Sequence, residues 1–119
     1  MTQQQANEFA KQWIDAWNNH DLGQIMELYS EEVEFYSPMI IQLGVNGEGR
    51  IQDKTLLSQY FGTGLNAYPE LKFTLHNVFC GIDSLVVQYE SVSAKLAAEV
   101  MQLDAGLQIN YVQCHYQNG

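Results

Sequence analysis

The chain has 119 residues and a formal net charge of −9, with 14 acidic against 5 basic side chains. This length predicts one domain, residues 1–119, with a hydrophobic core. Such acidity disfavours nucleic acid and membranes as partners, although it also serves plain solubility. The sequence shows no signal peptide and no apolar run long enough to span a bilayer, which favours a cytoplasmic protein.

The first half of the chain predicts three helices. Apolar residues recur at three- and four-residue steps between Ala6 and Trp17, which indicates one buried helical stripe. Asp21 is a candidate N-cap for a second, short helix. An alternating strand then ends at Pro38, and three glycines mark a loop or an irregular hairpin. Asp53 is the candidate cap of the third helix.

The second half predicts strands only. Alternation begins at Leu71, a change of parity near His76 indicates a bulge, and further strands follow over about 95–103 and 107–116. Helices that precede a run of strands predict an α+β fold rather than a doubly wound sheet. A bent antiparallel sheet around three helices would form a cone whose open, mostly apolar mouth could bind a small ligand.

Four segments carry a family resemblance: "WIDAWNNHDLGQIMELYSEEVEFYSP", "YFGTGLNAYPELKF", "GIDSLVVQY" and "EVMQLDAGLQI". In this order they resemble the nuclear transport factor two-like superfamily, and more closely its SnoaL-like and ketosteroid isomerase-like branch. The resemblance covers nearly the whole chain. It implies a cone-shaped, cystatin-like α+β barrel that often forms a homodimer through the outer side of its sheet. Function stays open, because the superfamily contains isomerases, polyketide cyclases, dehydratases and binding modules.

Three catalytic positions of ketosteroid isomerase can be carried over by this resemblance. The base that precedes the proline falls on Ser37, the oxyanion tyrosine of the first helix on Trp13, and the protonated acid on Glu99. A serine without an activating neighbour is no base, and an indole N–H is a weaker acid than a phenol. Since only Glu99 keeps its chemical type, we expect no steroid isomerisation by that mechanism.

Glu99 and His115 are the candidate catalytic residues. Glu99 shares strand parity with apolar residues, so we expect it to face the cone with a raised pKa; a shift of one residue would place it at the rim or outside. His115 continues an apolar parity through Tyr111 and Gln113, which would bring an imidazole into the cone. The alternative is an exposed histidine near the chain end.

Aromatic and polar residues on the same predicted faces are the candidate ligand-binding groups. They are Trp13, Trp17, Ser37, Tyr60, Tyr111 and Gln113. The aromatic members could equally be plain core, although in this family the core is partly pocket wall. We expect no metal site, since no two histidines or carboxylates share a helical face or a close strand pair.

Two functions fit the sequence. The first is a cofactor-independent isomerase, cyclase or dehydratase that moves a proton in a small apolar or carbonyl-bearing molecule, with Glu99 and His115 as acid and base. The second is a non-catalytic ligand-binding or dimerisation module, which explains the missing base at Ser37 without further assumptions.

Overall fold

One curved sheet with helices packed against it makes up the computed structural model, which describes residues 1–117. The helices are α1 (Gln3–Asn18), α2 (Leu22–Glu27), α3 (Pro38–Gln42) and α4 (Lys54–Ala67). The strands are β1 (Tyr29–Tyr36), β2 (Arg50–Ile51), β3 (Thr74–Cys80), β4 (Ser84–Glu90), β5 (Leu96–Leu103) and β6 (Ile109–Tyr116). Within residues 1–117, no helix is both long and apolar enough to cross a membrane.

The sheet has the order β2-β1-β6-β5-β4-β3, and α1 lies mainly against β3 while α4 lies against β1. These elements confirm the predicted α+β fold with a curled sheet. One detail differs from an all-antiparallel sheet, because β1 and β6 pair in parallel. The chain reaches β6 only after the β3–β5 meander, so no tight hairpin forces these two strands to run in opposite directions.

Side-chain caps begin the helices where the sequence predicts. The Asp21 carboxylate accepts a hydrogen bond from the backbone at the start of α2, and the Asp53 carboxylate does the same for α4. The short helix α3 stands where we expected a loop. Ser37 Oγ accepts from Met39 N at 3.2 Å, and Pro38 occupies the first turn, where its missing N–H costs nothing.

Three register shifts interrupt the sheet. One lies between Tyr29 and Glu34 of β1, where this strand pairs with β6. The shift in β3 lies between Leu75 and Asn77, as the parity change predicts. The third lies at the start of β6, where Ile109 pairs with Leu103 but Tyr111 already pairs with Gln102. One residue of β6 is therefore extra, and every later side chain of this strand points to the opposite face from the one that simple alternation predicts.

Aromatic rings fill the space between the helices and the sheet. Trp13 packs on Phe73 and Tyr89 with ring centroids 5.7 and 5.1 Å away, and the latter two rings are 4.7 Å apart. Trp17 packs edge-on against Phe61 at 4.9 Å. Rings at these distances and tilts are in favourable contact, so the interior is a packed aromatic core.

Candidate active site

The inner face of β5 carries a buried carboxyl group. Glu99 is 4% exposed and lies between the buried residues Ala97 and Met101, so it faces the interior as predicted. A carboxyl group loses much of its hydration at such a position, which makes its charged form costly. This buried acid is the centre of the candidate site.

Tyr89 holds one oxygen of this carboxyl group. Its hydroxyl donates a hydrogen bond to Oε2 of Glu99, and both side chains are buried. Tyr89 pairs with Ala97 across the β4–β5 ladder, which puts it diagonally beside Glu99 on the same face. The other oxygen, Oε1, has no hydrogen-bond partner within residues 1–117. One carboxyl oxygen is thus held and the other is free.

The burial of Glu99 changes its acidity. Loss of hydration raises its pKa from 4.5 to about 7, although the Tyr89 hydroxyl and the nearby Cys114 thiol partly oppose this by favouring the charged form. Burial and the nearby Glu99 charge keep the pKa of Tyr89 well above its usual value of 10.0, so its hydroxyl stays a donor. Near neutral pH the carboxyl group therefore exists in both protonation states.

More polar groups surround Glu99 from three elements. Cys114 and Tyr116 of β6 pair with Glu99 and Ala97, respectively, and so share the inner face. Burial raises the pKa of Tyr60 to about 12, a shift that the nearby Ser37 hydroxyl partly opposes. We call this set the polar cluster. It comprises Ser37, Tyr60, Tyr89, Glu99, Cys114 and Tyr116.

Two indole groups lie in the same interior. Trp13 Nε1 donates to the Tyr29 hydroxyl at 3.0 Å, so the residue at the expected oxyanion position is already paired. Trp17 Nε1 is buried and finds no acceptor within residues 1–117. After burial, the charge of Glu99 is the next largest influence that raises the pKa of Tyr29, which places this phenol near the carboxyl group. The interior thus offers a spare donor as well as a spare acceptor.

Three predicted site residues are on the wrong side of the sheet. Tyr111, Gln113 and His115 pair with the outward residues Gln102, Val100 and Ala98, and His115 is exposed. Gln113 Nε2 donates to the Tyr111 hydroxyl at 2.8 Å on that outer face. The predictions that these side chains line the cone and that His115 partners Glu99 are wrong. The cause is the extra residue in β6, which reverses the parity beyond it.

Sequence reasoning also missed members of the polar cluster. Tyr89 could have been found, because it shares the parity of the apolar residues Leu85 and Val87. Cys114 and Tyr116 could not, since the unrecognised bulge placed them outside. The other candidates do lie inside: Trp13, Trp17 and Ser37 are buried, and Tyr60 is half-buried.

The predicted open cavity around Glu99 is not confirmed. Hollows of about 500 and 240 Å³ are present, and Glu99 lines neither of them. The larger lies between residues 67–72 and 90–94, and the smaller lies near the β5–β6 turn. In the described part of the chain, no three His, Cys, Asp or Glu residues are grouped to hold a metal ion.

Comparison with known families agrees with this architecture. The SnoaL-like domain profile matches residues 10–108, which is most of the chain. The chain belongs to the SnoaL-like family. A SnoaL-like protein of unknown function from Burkholderia thailandensis is 33% identical, with 98% of each chain covered and a TM-score of 0.94. The predicted resemblance to the SnoaL-like branch is confirmed.

More distant solved structures share the fold. A proposed isomerase of the SnoaL-like family from Agrobacterium tumefaciens is 13% identical, with 97% of this chain and 99% of that chain covered and a TM-score of 0.77. SalBIII, an epoxide hydrolase/cyclase-like enzyme in pyran ring formation of salinomycin, is 16% identical, with 96% and 92% covered and a TM-score of 0.77. The search of curated proteins finds no match.

Proposed function

We propose that this SnoaL-like protein is a cofactor-independent acid/base enzyme of the isomerase, cyclase or dehydratase kind. Its substrate would be a small apolar molecule with a carbonyl group. The observation that carries the proposal is the state of Glu99, which is buried, has Oε2 held by Tyr89 and leaves Oε1 free. Its pKa near 7 suits a group that both takes and returns a proton at neutral pH.

The proton transfer needs one carboxyl oxygen and one donor. Glu99 in its carboxylate form takes a proton from the carbon next to the carbonyl group, and the electron pair of that C–H bond moves onto the carbonyl oxygen. The acid then returns the proton to another atom of the substrate, which restores the carboxylate. Trp17 Nε1 is the spare donor that could stabilise the oxyanion.

Ser37 has a supporting role in this scheme. Its oxygen caps α3, and its side chain is 3% exposed and uncharged. A hydroxyl group in that state takes no proton from a carbon atom. We therefore assign proton transfer to Glu99, and Ser37 is an uncharged wall residue of the polar cluster.

The proposal can be tested without knowing the natural substrate. A panel of small ketones and enones would be incubated with the protein in D2O, and loss of the α-proton signals would be followed by NMR. Glu99→Gln should slow this exchange at least about 100-fold, the usual contribution of a general acid/base. The matched control is Glu34→Gln on the outer face, which should exchange like the wild type. Equal exchange rates in all three proteins would contradict the proposal.

A non-catalytic ligand-binding role is the second candidate. The observation in its favour is that the larger hollow, of about 500 Å³, could hold a ligand although Glu99 does not line it. In that case the carbonyl compounds would bind the wild type and Glu99→Gln equally well, with no α-proton exchange in either.

We also propose a homodimer through the outer sheet face. A cross-strand row on this face consists of Phe79, Val86, Val100, Gln113, Tyr36 and, in the edge strand β2, Arg50. The row contains no acidic residue in a chain of net charge −9, and Phe79 is 57% exposed. A second copy could cover it without bringing acidic groups into contact. Val100→Glu should shift the molar mass measured by light scattering from dimer to monomer; an unchanged mass would contradict this interface.

A further inference from the structure

The hollow of about 500 Å³ lies next to the polar cluster. One of its walls is residues 90–94, which directly follow Tyr89, and the other is residues 67–72. The row of inner-face residues at this end of the sheet joins Leu75, Tyr89, Ala97 and Tyr116 across four strands. Along β5, Ala97 of this row is the inner-face residue next to Glu99 on the side of the β4–β5 connection.

The smaller hollow has no such access. It is lined by Phe9, Leu103 and residues of the β5–β6 turn. Between it and Glu99 lie Met101, which is fully buried, and Leu85, which is 1% exposed. A ligand that entered there would have to displace the best-packed apolar side chains of the sheet.

The two walls of the larger hollow are fixed to different degrees. On one wall, the Leu71 carbonyl oxygen lies 2.7 Å from His20 Nε2, and just after this wall Phe73 N donates to Asn18 Oδ1 at 2.7 Å. These contacts tie the wall to the end of α1 and the residue His20 that follows it. The wall that follows β4 has backbone hydrogen bonds within itself, from Ser91 N to Lys95 O at 2.7 Å and from Lys95 N to Val92 O at 3.2 Å.

The second wall also contains an unfavourable backbone. Ser93 and Ala94 have φ values of 58° and 57°, in the left-handed region that costs an L-residue about 1–2 kcal/mol. Between these residues and β4, Val92 is half-buried and packs against the core. A segment with a strained backbone, tied mainly to itself, is the wall that can open at low cost.

We propose that ligands reach Glu99 through this hollow, and that Val92 is the side chain that must move to admit them and that selects them by size. The inference rests on the proposed function, in which Glu99 acts on a bound ligand. Val92 packs against the core, and the neighbouring inner row ends in the half-buried side chains of Leu75 and Tyr116, so the inner end of the passage is mainly apolar. The inner end of the passage admits uncharged molecules and excludes ions, which stay in the hollow beside Lys72 and Glu90.

Cys114 provides a direct reporter of opening. It is 4% exposed, it pairs with Glu99, and the sequence contains only one other cysteine, Cys80. In a Cys80→Ser background, the rate of Cys114 alkylation by N-ethylmaleimide measures access to the interior. Val92→Ala should raise this rate about tenfold, because losing two methyl groups weakens the closed state by nearly 1.4 kcal/mol.

The matched control is Leu107→Ala, which truncates a side chain that lines the other hollow and should leave the rate unchanged. A bulkier reagent, N-phenylmaleimide, should gain more from Val92→Ala than N-ethylmaleimide does. Urea unfolding of each variant shows whether faster alkylation reflects global unfolding. Three results would overturn the proposal: equal rates in all variants, acceleration by Leu107→Ala instead, or acceleration that matches the loss of global stability.

Failure of this inference is distinguishable from failure of the proposed function, since alkylation requires no catalysis. Faster alkylation of Val92→Ala in a protein that exchanges no α-protons would support the proposed entrance and contradict the proposed enzymatic activity. Glu99-dependent exchange without any effect of Val92→Ala on alkylation would support the proposed activity and contradict the proposed entrance.

Discussion

The two ends of the inner sheet face are built from different side chains. Toward the β5–β6 turn, a cross-strand row joins Leu85, Met101 and Val112, all at most 1% exposed. Toward the β4–β5 connection, the neighbouring positions carry Tyr89 and Glu99, whose free oxygen is buried without a partner. The apolar end stabilises the folded state. The polar end destabilises it, and a local loss of stability of this kind is typical of a functional site.

The largest expected effect belongs to the apolar end. Met101→Ala should lower the free energy of unfolding by about 2–5 kcal/mol, because a fully buried side chain is replaced by a cavity. The loss should be the same at about pH 5 and about pH 8, since no titrating group is removed. Urea unfolding at both pH values measures it. A loss that depends strongly on pH would show that the two ends are coupled.

Glu99→Gln tests the polar end. Burial raises the Glu99 pKa from 4.5 to about 7, so between these values the native state holds a proton that the unfolded chain has released. The stability of the wild type should therefore fall as pH rises through this window, by roughly 3 kcal/mol from this group. The glutamine variant should lack this part of the slope, as seen in urea unfolding across the window, while Glu34→Gln should keep it. A slope unchanged by Glu99→Gln would contradict the account.

Tyr89→Phe tests how the hydrogen bond from Tyr89 affects the pKa of Glu99. The Tyr89 hydroxyl bonds to the charged form of Glu99 and so lowers its pKa. Removal of this donor should raise the pKa of Glu99 further above 7, by roughly one unit for a hydrogen bond to a charged group. NMR titration of the glutamate carboxyl carbons measures the shift. A fall in the pKa would mean that Tyr89 stabilises the protonated form instead.

The smallest effect is expected at the edge of the polar cluster. Ser37→Ala removes the oxygen that accepts from Met39 N at the start of α3. The expected cost is about 1 kcal/mol, a typical value for a lost helix cap. It should not vary with pH, because serine does not titrate. A much larger or pH-dependent loss in urea unfolding would place Ser37 among the groups that set the charge of Glu99.

Much of the fold could be predicted because its signals are local. The caps at Asp21 and Asp53, the bulge in β3 and the alternation of β5 each depend on a few neighbouring residues. The inward position of Glu99 follows from that alternation alone. For the same reason Tyr89 was within reach of sequence reasoning, since its strand alternates without interruption.

The rest of the site depends on one residue that leaves no local signal. An unbroken alternation through Ile109 and Tyr111 predicts that His115 points inward. The extra residue between Ile109 and Tyr111 exchanges the two faces for the rest of the strand, so Cys114 points inward instead. Whether an interior is open or filled is equally hidden from sequence. It depends on how Trp13 and Phe73 meet, although they lie on elements far apart in the chain.

The most direct test of the central claim is the titration of Glu99 itself. The δ-carboxyl carbon of Glu99 would be followed by NMR across the pH range and assigned by its absence from Glu99→Gln. We predict a midpoint at about 7, because the carboxyl group is buried beside Tyr89 with one oxygen free. A midpoint near the ordinary value of 4.5 would show a solvated acid and contradict the proposed site.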